Sequence, residues 1–246
     1  MKRLKSILRK FLIFIHLDLT KNLKYDRLTL RIFKKYVKPH FNCIDIGSHK
    51  GEILDLMLKY ANNGTHYAFE PIPSLFDELT TKYKEKATIF PYALADSSGK
   101  TTFQFVKNAP AYSGLQRRRY DIANPDILEI EVEKRTLDEI ISHNNPIHFI
   151  KIDVEGGEFG VLKGGRNILE INKPMILFEC GKGASDYYGI APSDIFLYLT
   201  ENIGLEIYTL SSFIKKKKAL TQQEFINYFN TNREYYFIAG PAFFTF

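Results

Sequence analysis

The sequence predicts an α/β fold: a doubly wound, mostly parallel seven-stranded sheet with a helical extension at its N-terminus. Two patterns support this prediction. Short apolar, β-branched runs alternate with helical runs along most of the chain, as in parallel strands joined by crossover helices. Four strand-like runs also end on carboxylates, which are Asp45, Glu70, Asp153 (followed by Glu155) and Glu179. Because ligands bind beyond the carboxyl ends of strands in open α/β sheets, these acids predict one polar site at that edge.

The composition fits one α/β domain, since 45% of the 246 residues are hydrophobic. We divide the chain into an N-terminal basic helical extension, residues 1–40, and the α/β domain, residues 41–246. Cys43 and Cys180 both fall inside predicted strands, so nothing requires an oxidising compartment. Much of the net charge of +6 comes from the N-terminus and Lys215–Lys218. Lacking interleaved aromatic residues, that lysine run is a poor nucleic-acid signature and predicts a solvated turn.

The N-terminal segment Leu4–Leu19 combines basic and apolar side chains. Its uninterrupted apolar core, Phe11–Ile15, is far shorter than the roughly 20 residues that a spanning helix needs. No small-residue cleavage site of a signal peptide follows it. Two interpretations stay open, which are an amphipathic helix on the anionic inner face of a membrane and a helix packed on its own sheet. Both predict a cytoplasmic protein.

The first part of the chain alternates helix and strand. A helix over Tyr25–Lys38 ends before Pro39, because proline interrupts helices. Strands are predicted over Cys43–Ile46, His66–Glu70 and Thr88–Asp96. Helices over Glu52–Tyr60 and after Pro71–Ser74 separate these strands.

The second part begins with a predicted hairpin and continues the alternation. The hairpin arms are Lys100–Val106 and Ile127–Thr136, and the long polar loop Asn108–Asp126 joins them. Core strands are predicted over His148–Gly156, Pro174–Glu179, Leu205–Leu210 and Tyr235–Ala239. Helices are predicted over Leu137–His143, Glu158–Ile171, Pro192–Asn202 and Thr221–Phe229.

The first strand, turn and helix have the features of a nucleotide-binding unit. Gly47 and Gly51 are spaced Gly-x-x-x-Gly, unlike the Gly-x-Gly-x-x-Gly of dinucleotide sites. Glu70 lies roughly 20 residues beyond this turn, where dinucleotide sites place the acid that binds ribose hydroxyls. The alternative for Glu70 is a cap on the turn at Pro71. An adenosine-ribose site without a diphosphate site indicates S-adenosylmethionine.

Several motifs together resemble the FkbM family of S-adenosylmethionine-dependent methyltransferases, which have the class I seven-strand fold. The most specific motif is Ile150–Glu158, followed by Val161–Gly165. The other motifs are Cys43–Gly51, Phe69–Pro71, Tyr92–Asp96 and Thr136–Asp138. They occur in the family's order between Phe41 and Ala239. His49 and Lys50 depart from the pattern, since many relatives carry an asparagine and an apolar residue there.

The resemblance implies roles for the predicted strand ends. The loop after the first strand approaches the methionine end of the cofactor, which concerns Asp45, Gly47, Ser48 and Gly51. The acid after the second strand holds the ribose, which concerns Glu70 with Pro71. The loop after the third strand flanks the adenine, which concerns Ala93 and Asp96. The end of the fourth strand lies next to the sulfonium and the acceptor, which concerns Asp153 and Glu155.

Methyl transfer to a hydroxyl requires an aligned acceptor and a group that accepts or polarises its proton. Asp153 or Glu155 is predicted to be this base, with Glu179 as its helper or as a co-ligand of Asp153 for a divalent metal. The alternatives are that Asp153 only binds the cofactor amine or a loop, and that Glu155 accepts backbone N–H bonds. Glu158 is predicted to interact with the dipole of its helix.

The predicted function is therefore an O-methyltransferase acting on a sugar or small polyhydroxyl acceptor of a glycan, lipid-linked saccharide or natural product. The alternatives are an RNA methyltransferase and a non-catalytic module that binds an adenosine cofactor. Arg117–Arg119 lie in the long loop Asn108–Asp126. They either close over the acceptor and bind its phosphate or carboxylate groups, or remain solvated.

Overall fold

The computed structural model describes residues 20–142 and 144–242, which form an α/β arrangement. The predicted helix over Leu4–Leu19 lies outside this part of the chain. The strands are β1 (Cys43–Ile46), β2 (His66–Phe69), β3 (Thr88–Phe90), β4 (Tyr92–Leu94), β5 (Gly99–Val106), β6 (Ile127–Arg135), β7 (Phe149–Ile152), β8 (Met175–Glu179), β9 (Glu206–Thr209) and β10 (Tyr236–Gly240). The helices are α1 (Lys21–Tyr36), α2 (Glu52–Tyr60), α3 (Pro73–Lys82), α4 (Leu137–Ile140), α5 (Glu158–Gly164), α6 (Arg166–Asn172), α7 (Pro192–Leu197), α8 (Leu210–Ile214) and α9 (Gln222–Thr231).

The central sheet has seven strands in the order β3–β2–β1–β7–β8–β10–β9. The first five of these strands are parallel to one another, and β10 runs antiparallel to both β8 and β9. The strand order reverses between β1 and β7, which is the position where open α/β sheets bind ligands. The prediction of a doubly wound, mostly parallel seven-stranded sheet is therefore confirmed.

Helices cover both faces of the sheet, so its central strands are buried on both sides. Ile44 and Ile46 of β1 belong to one apolar cluster, whereas Cys43 belongs to another on the opposite face. Successive side chains of a strand point to opposite faces, so two buried faces require a continuous apolar run. This explains why Cys43–Ile46 is wholly buried although it contains a carboxylate.

Helix α1 packs on the central sheet. Thr20 caps its first turn, and Leu28, Ile32 and Phe33 lie in the same apolar cluster as Cys43 of β1. The helix begins a turn earlier than its sequence-based prediction, because Thr20 supplies an N-cap. The division of the chain at residue 40 stays a prediction. None of the helices in residues 20–142 and 144–242 combines the length and apolar character needed to span a bilayer.

The prediction of one strand over Thr88–Asp96 is wrong. Pro91 separates β3, which pairs with β2, from β4, which pairs with β6 in a second sheet of order β4–β6–β5. Proline lacks the N–H that would continue the ladder, so the chain changes sheets there. The predicted hairpin is confirmed, since β5 and β6 are antiparallel with Lys100 opposite Glu133.

Two further helix predictions require correction. The helix predicted over Glu158–Ile171 is two helices, α5 and α6, which meet at Gly165. The helix predicted over Pro192–Asn202 begins as the α-helix α7 and continues as a π-helix over Tyr198–Asn202. Helix α8, directly after β9, was not predicted.

Candidate active site

A cavity of about 730 Å³ lies at the carboxyl ends of the parallel strands, beside the reversal of strand order. Its lining includes residues of β4 and of the loops after β1, β2, β7 and β8. The predicted site residues that line it are Gly47, Ser48, Glu70, Pro71, Ala93, Asp153, Glu155 and Glu179. The fold thus brings most of the predicted cofactor and acceptor residues to one space.

Three predicted cofactor residues do not line this cavity, and each has another structural role. Asp45 is completely buried, with one carboxylate oxygen 3.5 Å from the Lys151 ammonium. Gly51 has φ of 74°, and a Cβ there would lie 2.3 Å from the Tyr83 hydroxyl. Asp96 forms a half-exposed ion pair of 2.6 Å with Lys163.

The turn after β1 is shaped to bring its backbone close to the loop after β7. Gly47 has φ of 73°, and a Cβ at this position would lie 1.9 Å from the carbonyl oxygen of Asp153. His49, two residues later, also has a positive φ, of 49°. A non-glycine residue in this conformation is strained, and such strain is often found at functional sites.

Glu70 joins the loops after β1 and β2. Its carboxylate accepts hydrogen bonds from the backbone N–H of His49, at 2.8 Å, and of Ile72, at 3.0 Å. Burial raises the pKa of Glu70 to about 7, although both N–H groups oppose the shift. The hydrogen bond from the Ile72 N–H shows that Glu70 caps the turn at Pro71, which is the alternative role predicted for it. A carboxylate offers about four acceptor positions, so the same group can also bind ribose hydroxyls.

Lys151 is a buried cation between the first and fourth core strands. It lies directly opposite Asp45 in the β1–β7 register. Its ammonium donates hydrogen bonds to the carbonyl oxygens of Gly47, at 2.6 Å, and Ile46, at 3.2 Å, and lies 3.8 Å from an Asp153 oxygen. Burial lowers the pKa of the ammonium, but Asp153 and Asp45 outweigh this effect and raise it, so Lys151 stays charged.

The pKa values of Asp153 and Glu179 are shifted in opposite directions. Burial favours the neutral form of Asp153, but the charge of Lys151 and hydrogen bonds from Tyr236 and Glu179 outweigh it and lower the pKa of Asp153. Burial and the neighbouring Asp153 charge raise the pKa of Glu179 well above its usual range. These shifts favour the ionised form of Asp153 and place a shared proton on Glu179.

Glu155 pairs with an arginine from the long loop after β5. Arg118, whose side chain is 11% exposed, forms an ion pair with Glu155 and lies 5.3 Å from the centroid of the Tyr112 ring. Glu158, rather than Glu155, accepts the backbone N–H bonds of the loop after β7, from Val154 at 3.0 Å and from Gly156 at 3.1 Å. The carboxylate of Glu155 is therefore directed toward Arg118 at the cavity.

The three acids beside the cavity also resemble a divalent-cation site, since oxygens of Asp153, Glu155 and Glu179 lie within 4.8 Å of one another. Such hard oxygen ligands suit Mg²⁺ or Ca²⁺. Arg118 already pairs with Glu155, and Lys151 lies beside Asp153. A metal bound by these acids would have to displace Arg118 from Glu155, and a metal site at Asp153 and Glu179 stays a prediction.

Sequence reasoning missed three residues of the site. Lys151 was part of the most specific motif, and its signal was a lysine inside an otherwise apolar strand. Arg118 was predicted only as one of three loop arginines, and Arg117 instead pairs at the surface with Glu129, at 3.2 Å. Tyr236 had no sequence signal, because it reaches Asp153 only through the antiparallel pairing of β10 with β8.

Comparison with known proteins gives one family match and several distant structural neighbours. Residues 45–216 match the family model of the methyltransferase FkbM domain. The hexuronic acid methyltransferase AglP of Haloferax volcanii is 28% identical over 162 residues, which are 64% of this chain and 60% of that protein. This chain therefore spans less than two thirds of the length of that relative.

Among solved structures, FkbM methyltransferase of Methylobacillus flagellatus is 16% identical with a TM-score of 0.45, and the match covers 82% of this chain and 44% of that one. Fibrillarin of Aeropyrum pernix, solved with natively bound S-adenosyl-L-methionine, is 13% identical with a TM-score of 0.45, covering 87% and 74% of the two chains.

The range that matches the family model includes the second half of β1 and all of β2, β3, β7, β8 and β9, and it contains the motif from Lys151 to Glu158. It covers well over half of the chain. The chain therefore belongs to the FkbM methyltransferase family.

Proposed function

We propose that this protein is an S-adenosylmethionine-dependent O-methyltransferase whose acceptor is a sugar, with a hexuronic acid as the first candidate. The observation that carries the proposal is the position of the ionised Asp153. It lies in the same cavity as Gly47, Ser48 and Glu70, on the other side of the point where the strand order reverses. The cavity is thus polar where the methyl donor would bind and carries a carboxylate where an acceptor would enter.

The cofactor half of the proposed site is formed by the loops after β1 and β2 and by strand β4. Gly47 and Ser48 would face the methionine part, Glu70 would bind the ribose hydroxyls, and Ala93 would flank the adenine. The Glu70 bond to the His49 backbone holds these two loops in one arrangement. When bound, S-adenosylmethionine supplies an electrophilic methyl group on its sulfonium.

The acceptor half is formed by Asp153, Glu155, Glu179 and Tyr236. Asp153 accepts a hydrogen bond from the acceptor hydroxyl and aligns its oxygen with the methyl carbon. S-adenosylmethionine held by Gly47, Ser48 and Glu70 would supply the methyl group and retain the electron pair of the broken sulfur–carbon bond, and Asp153 would take the proton that the acceptor hydroxyl loses. Alignment is the main contribution, because positioning alone can be worth about 7–11 kcal/mol. The lowered pKa of Asp153 keeps it ionised and able to accept the hydroxyl proton during methyl transfer.

Cations at the rim of the cavity suit an acceptor that carries a carboxylate. Arg119 and Lys182 both line the cavity. Arg119 is half-exposed and 3.2 Å from Asp121, and Lys182 is exposed. An arginine can bind a carboxylate through two parallel hydrogen bonds. A hexuronic acid, the substrate that names the Haloferax volcanii relative, carries such a group together with several hydroxyls.

Calorimetric titration of S-adenosylmethionine and, separately, NAD into the wild-type protein and Glu70→Gln tests the cofactor. We expect micromolar binding of the sulfonium compound alone, weakened at least tenfold in the variant, which replaces one carboxyl oxygen facing the ribose with an amide NH₂ group. Asp77→Gln, on the surface of α3, is the control. Equal binding of NAD, or no binding of either compound, would contradict the proposal.

Incubation with labelled S-adenosylmethionine and either a glucuronide or the corresponding glucoside tests the acceptor. We expect the label on the glucuronide. Label on the glucoside alone would contradict a hexuronic acid as the acceptor but would still support a sugar O-methyltransferase. Cofactor binding without label on any hydroxyl compound would indicate a binding module. Activity that EDTA abolishes and Mg²⁺ restores would show that a metal displaces Arg118.

A further inference from the structure

A strongly basic surface lies outside the cavity, on helix α1 and on the turn after α8. It consists of Arg31, Lys34, Lys35 and Lys38 together with Lys215–Lys218, all of which are exposed. None of these residues lines the cavity. We call this group the basic surface.

Direct contacts join the two segments of the basic surface. The Lys35 ammonium donates a hydrogen bond of 2.9 Å to the carbonyl oxygen of Ile214, the last residue of α8. The rings of Tyr36 and Phe213 pack with centroids 4.7 Å apart. Residues that are distant in sequence therefore present their charges on one continuous face.

The charges of this surface are largely uncompensated. Within residues 20–142 and 144–242, Arg31, Lys34, Lys38 and Lys215–Lys217 form no ion pair. The neighbouring acid Glu224 interacts with the charge of Lys218, but it is bound to Thr221 as part of a helix cap. Such a concentration of like charge is unfavourable for the folded protein alone and favours an anionic partner.

The first turn of α1 connects the basic surface with the cavity mouth. Lys21, Asn22 and Tyr25 line the cavity, whereas Lys34 and Lys38 lie at the other end of the helix. A helix of 16 residues spans about 24 Å, so the cavity mouth and the basic surface lie at opposite ends of one helix. The sequence that immediately precedes α1, Leu4–Leu19, is itself rich in basic and apolar residues.

We propose that the basic surface docks this protein on an anionic membrane, with α1 along the bilayer and the cavity mouth within reach of a membrane-anchored acceptor. The composition of the surface favours lipid over nucleic acid. Seven of its eight charges are lysines, which act as point charges toward anionic headgroups rather than as paired donors toward bases. Phe213 is buried and Tyr36 packs against it, so neither ring is free to stack on a base. Docking does not depend on the proposed reaction.

Co-sedimentation of the full chain with phosphatidylcholine vesicles, with and without phosphatidylglycerol, tests the proposal. The variants are Lys216→Gln/Lys217→Gln and Lys34→Gln/Lys38→Gln. The matched control is Lys84→Gln/Lys86→Gln, which removes the same charge from exposed lysines beside β3, at the opposite edge of the sheet. Circular dichroism of each variant checks that the fold is retained.

We expect binding to the anionic vesicles alone. Each lysine near such a surface strengthens binding by roughly fivefold, so each surface double variant should bind at least tenfold more weakly, with the control unchanged. Failure to bind anionic vesicles, or equal weakening in the control, would overturn the proposal. A parallel gel-shift experiment uses single-stranded RNA. RNA binding that the surface variants abolish, without vesicle binding, would identify a nucleic-acid interface and also overturn it.

Discussion

The ammonium of Lys151 donates a hydrogen bond of 2.6 Å to the carbonyl oxygen of Gly47, and this contact connects the two halves of the site. Gly47 begins the turn proposed to hold the cofactor, and Lys151 lies two residues before Asp153. The same ammonium lies 3.8 Å from the Asp153 carboxylate. One buried cation therefore fixes the distance between the proposed cofactor turn and the proposed base.

Replacement of Lys151 by Met should destabilise the fold by roughly 3–5 kcal/mol, because it leaves buried acids and carbonyl oxygens without their cation. Chemical denaturation monitored by circular dichroism measures this free energy. Lys163→Met is the control, since it breaks an ion pair with Asp96 whose two side chains are each 43% exposed. Such a pair contributes about 0–1 kcal/mol. Equal losses in the two variants would show that Lys151 has no special structural role.

The close approach of Gly47 to the loop after β7 can be separated from its backbone conformation. Gly47→Ala places a Cβ only 1.9 Å from the carbonyl oxygen of Asp153. Gly189 has a similar φ of 68°, but a Cβ at that position would meet no atom within 4 Å, so Gly189→Ala is the control. We expect Gly189→Ala to cost about 1 kcal/mol and Gly47→Ala more than 2 kcal/mol in thermal unfolding. Similar costs would mean that the two loops are free to move apart.

Tyr236→Phe should change the pH dependence of turnover. The variant removes a hydrogen bond that helps to hold the pKa of Asp153 below its usual range. Since a hydrogen bond to a charged group is worth about 1.5–3 kcal/mol, the acid limb of kcat should move upward by roughly one pH unit or more. The matched control is Tyr235→Phe, which loses only a hydrogen bond of 2.7 Å to Asn22. An unchanged pH profile in Tyr236→Phe would argue against Asp153 as the proton acceptor.

Glu158→Gln should stabilise the protein above neutral pH. Burial raises the pKa of Glu158 to about 7, from an ordinary value of 4.5. The folded state therefore binds more protons than the unfolded state between these two values, and stability falls as the pH rises through them. The neutral amide avoids this loss, so at pH 8 the variant should gain roughly 1–3 kcal/mol in free energy of unfolding.

The Glu158→Gln gain should disappear at about pH 4, where the wild-type side chain is protonated in both states. Glu201→Gln, at an exposed position, should show neither effect. A gain that is independent of pH would contradict the raised pKa of Glu158. Urea denaturation at several pH values measures both variants.

Local sequence was sufficient for the first half of the site. The strand, turn and helix from Cys43 to Tyr60 and the acid Glu70 carry their signals within a few residues, and the structure places Gly47, Ser48 and Glu70 at the cavity. The motif around Asp153 identified the second strand end in the same way. Short apolar strands, glycine turns and terminal acids are local features, and a parallel sheet aligns them at one edge.

The remaining parts depend on contacts between distant residues. Tyr236 reaches Asp153 because it pairs with Glu179 in the antiparallel register of β10 and β8. Arg118 reaches Glu155 because its loop is tied to β5 through a bridge between Gln104 and Gly114. Neither the register of β10 with β8 nor the course of the loop that carries Arg118 can be predicted from neighbouring residues in the sequence. The division of residues 88–96 between two sheets was likewise visible only as a single proline, Pro91.

Single-turnover methyl transfer by wild type and by Asp153→Asn, each first saturated with labelled S-adenosylmethionine, tests the central claim most directly. The prediction is that both proteins bind the cofactor with affinities within about tenfold, but that transfer to the glucuronide is at least a hundredfold slower in the variant, as loss of a general base requires. Transfer at the wild-type rate in Asp153→Asn, with cofactor bound, would contradict the proposed mechanism.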